Sequence, residues 1–474
     1  MKAALPTRCT ALALGLVLAG CGSMAPPYEQ PAAPVAARFP FATPAPTGSQ
    51  PLASEIAWQQ FFQDARLRQL VAMALDHNRD LRVAILAITQ ARAQLQLRRA
   101  DQLPTVNVGA TASRLPASTG GISSSYTAGF SITGYELDLF GRVQNLGDAA
   151  LAQLLATEEA RKTVQIGLVA TVANTYLSLL ADDELLRITR ETLRTREESL
   201  RLTRLKFDQG VSSELDWRQA QSLLEAARVA LAQLTRQRAL YDNALSLLVG
   251  QPLPPDMLAS GIAGLPLAGQ TLALALPNAL PSELLARRPD VRQAEQLLRA
   301  AHANIGAARA AFFPRIALTT SIGTASSDLG RLFHGGTYGW SLAPQITLPL
   351  FDAGRNQANL EVTRLGREIA VAQYEKAIQT AFREVADVLA ARATLDEQLR
   401  AQTAQASAED ARLRLIDLRY RNGAANYFEV LDAQRAAFAA RQAVVQLQLQ
   451  QAQSLVNLYK VLGGGWTDPA PATS

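Results

Sequence analysis

The sequence predicts an α+β membrane protein built from two copies of one unit, with four β-strands and two very long helices per chain. Three observations predict it. Motifs of the first half recur in the second half in the same order. Two proline-free helical stretches run for roughly 68 residues each, far beyond a usual globular helix. Four runs of about ten residues alternate apolar and polar side chains, the length and pattern of a membrane-spanning strand. The composition agrees: the chain of 474 residues is only 6% aromatic, and long stretches are crowded with Ala, Leu, Gln and Arg, all strong helix formers.

From the N-terminus, Lys2 and Arg8 precede the apolar run Ala11–Ala19, which closes on "LAGC", Leu18–Cys21. The run is too short to span a bilayer and has the layout of a secretory signal, expected over 1–20. "LAGC" resembles the bacterial lipobox, in which the peptidase cuts before the cysteine and the cysteine is then acylated. Cys21 is therefore the expected lipidation site; an ordinary signal peptide with an incidental cysteine is the other reading. By the same resemblance, Gly22 in place of Asp points to the outer membrane. Cys9 falls inside the signal, so one cysteine remains and no internal disulfide is expected. The segment 21–57 is rich in Pro and Ala and reads as an extended strap.

The first repeat is expected over 58–250: a helix, strands at 104–113 and 126–139, a long helix at 142–209 and a return helix at 214–249. A linker follows at 251–280. The second repeat, 281–463, carries a helix, strands at 314–324 and 338–351, a long helix at 355–422 and a return helix at 427–462. The tail is 464–474. Asp80 matches Asp290 and Pro104 matches Pro314 at one offset; Gly210 matches Gly423, Ala220 matches Ala433 and Gln221 matches Gln434 at another. Leu186, Leu193, Leu200 and Phe207 fall seven apart, the mark of a coiled-coil seam. Gly210 and Gly423 are expected to end the long helices as C-cap glycines, so each hairpin turns back on itself. In the second strand the apolar phase shifts after Gly134, which predicts a bulge. A half-buried sheet in a soluble protein would alternate in the same way. If the strands span lipid, four cannot close a barrel. Two chains give eight strands, whose interior fills with side chains; three give twelve and an open lumen.

Net charge is +5 with pI near 9.3, but the Arg residues interleave with Glu, Asp and Gln along helices, which describes a solvated helix face and not a nucleic-acid surface. His77, His302 and His334 are scattered, without the spacing of a metal site, and no phosphate-binding glycine loop links a strand to a helix. An enzyme, a cofactor and a resident metal are not expected.

The lipobox, the duplicated helix–hairpin–helix unit, "ELDLFGR", "LPLFDAGR" and "YFEVLDAQ" together resemble the TolC/OprM-type outer membrane factors, in the branch of efflux lipoproteins similar to NodT. The resemblance spans nearly the whole mature chain. It implies a trimeric channel-tunnel, with four strands per chain forming a shared 12-stranded β-barrel that a long periplasmic α-helical coiled-coil barrel continues. It implies a homotrimer that sits in outer membrane lipid and works with a periplasmic adaptor protein. The inner membrane partner is a pump of the resistance–nodulation–division (RND) type, or an ABC-type pump. The exported cargo would be drugs or other small toxic compounds. Type I protein secretion, metal-ion efflux and a non-conducting coiled-coil scaffold are the rival readings. For the hairpin tips the resemblance implies a periplasmic gate. Phe428 falls at an apolar constriction, and Glu429 and Asp432 fall at acidic rings. Tyr420, Asp432, Arg435 and Asp216 fall at links between neighbouring hairpins. Trp217 has no counterpart in that pattern.

Overall fold

In the computed structural model the chain runs as helices α1 (Ala65–His77) and α2 (Arg79–Ala100), strands β1 (Val106–Pro116) and β2 (Ile122–Leu137), and helices α3 (Arg142–Asp208) and α4 (Glu214–Val249). The order then recurs as α5 (Pro289–Ala310), β3 (Arg315–Ser326), β4 (Tyr338–Thr347), α6 (Arg355–Arg421) and α7 (Tyr427–Val461). The structure describes residues 23–36, 38–40, 53–116, 120–254 and 287–466. The expected signal, Cys21, most of the linker and most of the tail lie outside them. Contacts divide the chain into two units: one holds the strap to Ala33 with Leu86–Glu159 and Arg292–Ala377, and the other holds the rest.

In the first unit the four strands form one antiparallel sheet in the order β1-β2-β3-β4. Its register separates two faces. Val108, Phe130, Ile322 and Trp340 lie directly opposite one another across all four strands, and all are exposed. The next row is Gly109, Gly129, Gly323 and Gly339. On this polar face Thr111 bonds Thr127 at 2.6 Å and Ser321 bonds Ser341 at 2.7 Å. The glycines have a steric reason: a Cβ on Gly323 would meet the Ala128 carbonyl oxygen and come within 2.7 Å of Gly129 Cα. The expected phase shift is a bulge between Ile132 and Tyr135, with Gly134 at φ +65.

The strand ends differ from the sequence expectation. β1 extends to Pro116 and β2 begins at Ile122, because cross-strand pairing continues beyond the alternating apolar run. β4 stops at Thr347 instead of 351. Pro349 has no N–H to give, and Asp352 instead accepts from Gly354 N and Asn356 N to start α6. Below the sheet, Glu136 binds both Arg142 and Arg315 at 2.7 Å, and Phe140 stacks on Phe313 with centroids 4.8 Å apart. The strap lies extended against α3 and α5. Ser23 bonds Asn145 at 2.8 Å, His302 Nε2 lies 2.8 Å from the Pro26 carbonyl, and Tyr28 meets the His302 ring edge-on.

In the second unit α3 supplies the core. Tyr176, Leu177, Leu179, Leu180 and Leu186 are fully buried. Phe61 stacks on Tyr459 at 4.0 Å, and the Tyr459 hydroxyl donates to the Ile56 carbonyl at 2.6 Å. Asp64 caps α1 and also accepts from the Tyr176 hydroxyl at 2.9 Å. α3 holds a window apolar enough to cross a membrane, but 72% of that window is buried within the protein, as in a core helix. α3 and α6 are 67 residues each, about 100 Å long at the α-helical rise.

One buried group carries a pH prediction. Asp182 is 7% exposed, and its Oδ2 has no hydrogen-bond partner among the described residues. Burial pushes its pKa up to about 6; the adjacent Asp183 adds to the rise and Arg238 opposes it. Arg238 donates to Asp183, at 3.0 Å. A carboxyl whose folded pKa lies above its unfolded value favours the fold only while protonated, so this contribution is lost as pH rises from about 4 to about 6. Asp182→Asn is expected to stabilise the protein by about 2 kcal/mol near pH 8, with the gain vanishing near pH 4. Thermal unfolding at both pH values checks it, and a pH-independent difference contradicts it.

Candidate functional site at the hairpin tips

Both long helices end alike. Gly210 and Gly423 each have φ +73, a left-handed conformation that glycine adopts without strain. Gly210 N donates to the Phe207 carbonyl and Val211 N to the Lys206 carbonyl, both at 2.8 Å. Gly423 N donates to the Tyr420 carbonyl at 3.0 Å and Ala424 N to the Arg419 carbonyl at 2.8 Å. These bonds close the last turn in the Schellman manner. Each return helix then opens with a capping box: Ser213 with Asp216, and Asn426 with Glu429.

The sequence-predicted gate residues fall as follows. Phe428 is 57% exposed on the first turn of α7. Its neighbour Tyr427 is buried with Ala220, Val430 and Leu431, and its hydroxyl bonds Ser199 at 2.7 Å. The Glu429 carboxylate accepts from its own N-cap, Asn426 N, at 3.2 Å. Asp216 does the same work at the first tip, accepting from Ser213 N at 3.3 Å and from the hydroxyls of Ser212 and Ser213 at 3.1 and 2.8 Å. Within the chain, Tyr420 meets Lys206, not Asp216: the ammonium lies 3.0 Å from its hydroxyl and 4.6 Å from its ring centre. Asp432 is 3.6 Å from Arg435 but 2.6 Å from Arg412, which also reaches Glu409 at 3.2 Å.

Arg412, Lys206 and Arg196 are the tip residues that sequence reasoning missed. Arg196 is buried: it donates to the Leu223 carbonyl at 2.8 Å and faces the Phe438 ring at 5.2 Å. Burial, then the like charge of Arg435, lowers its pKa. All three reach across from another helix, so no local spacing announces them. The capping boxes were legible as S-x-x-D and N-x-x-E. Trp217 also finds a role. It stacks on Phe207 at 5.5 Å, and the guanidiniums of Arg204 and Arg218 lie 4.3 and 4.1 Å from its ring centre, cation–π contacts that stiffen the first tip. The tips thus consist of caps, rings and ion pairs, chemistry that holds helices in place. Among the described residues no group of His, Cys, Asp and Glu is placed to hold a metal.

The family model for outer membrane efflux proteins matches residues 70–251 and again 280–464. Among curated relatives, the antibiotic efflux pump outer membrane protein ArpC of Pseudomonas putida is 48% identical over 459 residues, covering 95% of this chain and 94% of its own. The toluene efflux pump outer membrane protein TtgC, also of Pseudomonas putida, matches with the same identity and coverage. Among solved structures, the open state of the MtrE outer membrane channel of Neisseria gonorrhoeae superposes with a TM-score of 0.85 at 41% identity, covering 94% of this chain and 99% of that one. With tips built to hold helices and relatives of this kind along nearly its full length, the chain belongs to the outer membrane efflux protein family and serves as the outer membrane channel of an efflux pump.

Proposed function

We propose that three copies of this chain close a 12-stranded barrel, that their helices continue it as a periplasmic tube, and that the hairpin tips gate the tube. The carrying observation is the four-stranded sheet with apolar and polar faces whose outer strands, β1 and β4, each pair on one side only. Open edges are not tolerated in lipid, so neighbouring copies must supply the missing pairs. The repeat supports a specific closure. Val106 pairs with Ile132, as Ile316 does with Ile346, so β1 corresponds to β3 and β2 to β4. Carrying over the Ile132–Thr320 pair of β2 and β3 sets Ile346 opposite Ala110 of the next copy, apolar against apolar. The family model's two separate matches support a duplicated unit over 58–250 and 281–463.

On this reading the conduit is passive, and a periplasmic adaptor and an RND-type inner membrane pump supply cargo and energy. The cargo is small and toxic, of the kind that relatives named for antibiotic and toluene efflux handle. Cys21 carries the lipid, which should appear as palmitate labelling that Cys21→Ser abolishes. Gating falls to Phe428, Asp432 and Arg435 with Tyr420, joined by Arg412 as the nearer partner of Asp432, while Glu429 and Asp216 hold the tips in shape as caps. Purified protein in mild detergent should have the mass of three chains and give discrete conductance steps in planar bilayers. A monodisperse monomer with full strand content, or a trimer that never conducts, would contradict the proposal.

A further inference from the structure

The two hairpins correspond at their turns, their caps and one ion pair under one constant sequence offset. It takes Gly210 to Gly423 and the capping pair Ser213–Asp216 to Asn426–Glu429. It also takes the ion pair Glu197–Arg228, at 3.7 Å, to Asp410–Arg441, at 2.9 Å. These five correspondences include side-chain contacts, so the offset relates structures as well as letters.

In a ring of alternating hairpins, the first hairpin meets the second within a chain, and the second meets the first of the next copy. A contact seen at the first seam can therefore be carried to the second. Two of the tip contacts that join the hairpins within the chain carry over as complementary pairs. Ser199 bonds Tyr427 at 2.7 Å, and the Lys206 ammonium sits over the Tyr420 ring at 4.6 Å. Under the offset, Ser199 becomes Arg412 and Tyr427 becomes Glu214; Lys206 becomes Arg419 and Tyr420 becomes Phe207. Both derived pairs are complementary. One sets a guanidinium against a carboxylate, and the other sets a guanidinium over an aromatic ring.

We infer that the seam between copies is made at the tips by Arg412 against Glu214 of the partner subunit and by Arg419 over the ring of Phe207 of the partner subunit. The inference rests on the ring of three chains proposed above. Both charged side chains of the first pair are available, at 42% exposure for Arg412 and 61% for Glu214. Arg412 already holds Asp432 and Glu409 of its own chain, and Glu214 holds Arg218, but the five N–H donors of Arg412 allow it to hold a third carboxylate as well. The seams are not equal. The buried contact of Arg196 with Phe438 becomes, under the offset, Glu409 facing Glu225 of the partner subunit. The seam between copies thus trades a buried cation–π contact for a pair of like charges, which leaves it the weaker of the two.

The test uses thiols in the full-length protein, in which Cys9 lies in the expected signal and Cys21 at the proposed acylation site. Outer membranes bearing Arg412→Cys with Glu214→Cys are treated with a short bis-maleimide and run on denaturing gels. Covalent dimer and trimer bands are expected from the double variant, and monomer alone from either single variant. Arg412→Glu and Glu214→Arg should each lower the temperature at which the assembly dissociates, and together should restore most of the loss. Monomer bands from the double thiol variant, in protein whose mass in detergent is still three chains, overturn the seam and leave the ring standing. A mass of one chain overturns both.

Discussion

Arg412→Ser combined with Tyr420→Phe is expected to open the channel in the absence of any pump partner, raising single-channel conductance by about an order of magnitude. In the proposed ring, three Asp432 carboxylates face a narrow axis and repel one another. Within each chain the nearer counter-charge is Arg412 at 2.6 Å, against 3.6 Å for Arg435. Removing Arg412 leaves Asp432 with the distant partner only. Removing the Tyr420 hydroxyl deletes the acceptor for Lys206, one of the bonds joining the two hairpins. These pairs are solvated, so each is weak and weakens further with salt; the threefold ring multiplies their joint effect. Planar-bilayer recordings should show the rise, and cells should become sensitive to vancomycin, which is too large for ordinary porins. The comparison that decides the assignment is Arg435→Ser with Tyr420→Phe. It should open the channel less, and equal conductance from the two double variants would remove Arg412 from the gate.

Gly323→Val should abolish assembly, lowering the amount of folded protein in the outer membrane by roughly tenfold or more. The position lies in the row of four glycines on the polar face of the sheet. The neighbouring strand passes so close that a Cβ would run into the Ala128 carbonyl and the Gly129 backbone, and neither can turn aside as a side chain could. β2 and β3 would have to separate at the centre of the sheet, leaving unpaired backbone groups in lipid. Gly339→Ala in the same row is the comparison: no atom of its own chain lies within 4 Å of its Cβ position, so the chain's own sheet tolerates it and it should assemble far better than Gly323→Val. Heat-resistant oligomer on gels measures both. Wild-type levels from Gly323→Val would show that the strands can spread without loss.

Much of this protein is decided by periodicity, which a sequence displays directly. The spacing of Leu186, Leu193, Leu200 and Phe207, the absence of proline over the long helices, and the alternation around Phe130 and Trp340 settle the element types because each depends on residues near in the chain. Gly210, Gly423 and Gly134 were legible for the same reason: a positive φ is a local demand. The capping roles of Asp216 and Glu429 were also within reach, since a capping box spans one turn. Partnership across helices was not. Whether Tyr420 meets Asp216 or Lys206 within the chain, and whether Asp432 leans on Arg435 or Arg412 there, depends on how far two long helices are rotated about their axes. A rotation of one residue position, about 100°, moves a different side chain into the contact. The strand ends depended likewise on pairing with a second strand, and the glycine row on four strands in register. Composition sees neither, because both are distances between segments far apart in sequence, and only the tertiary structure sets those distances.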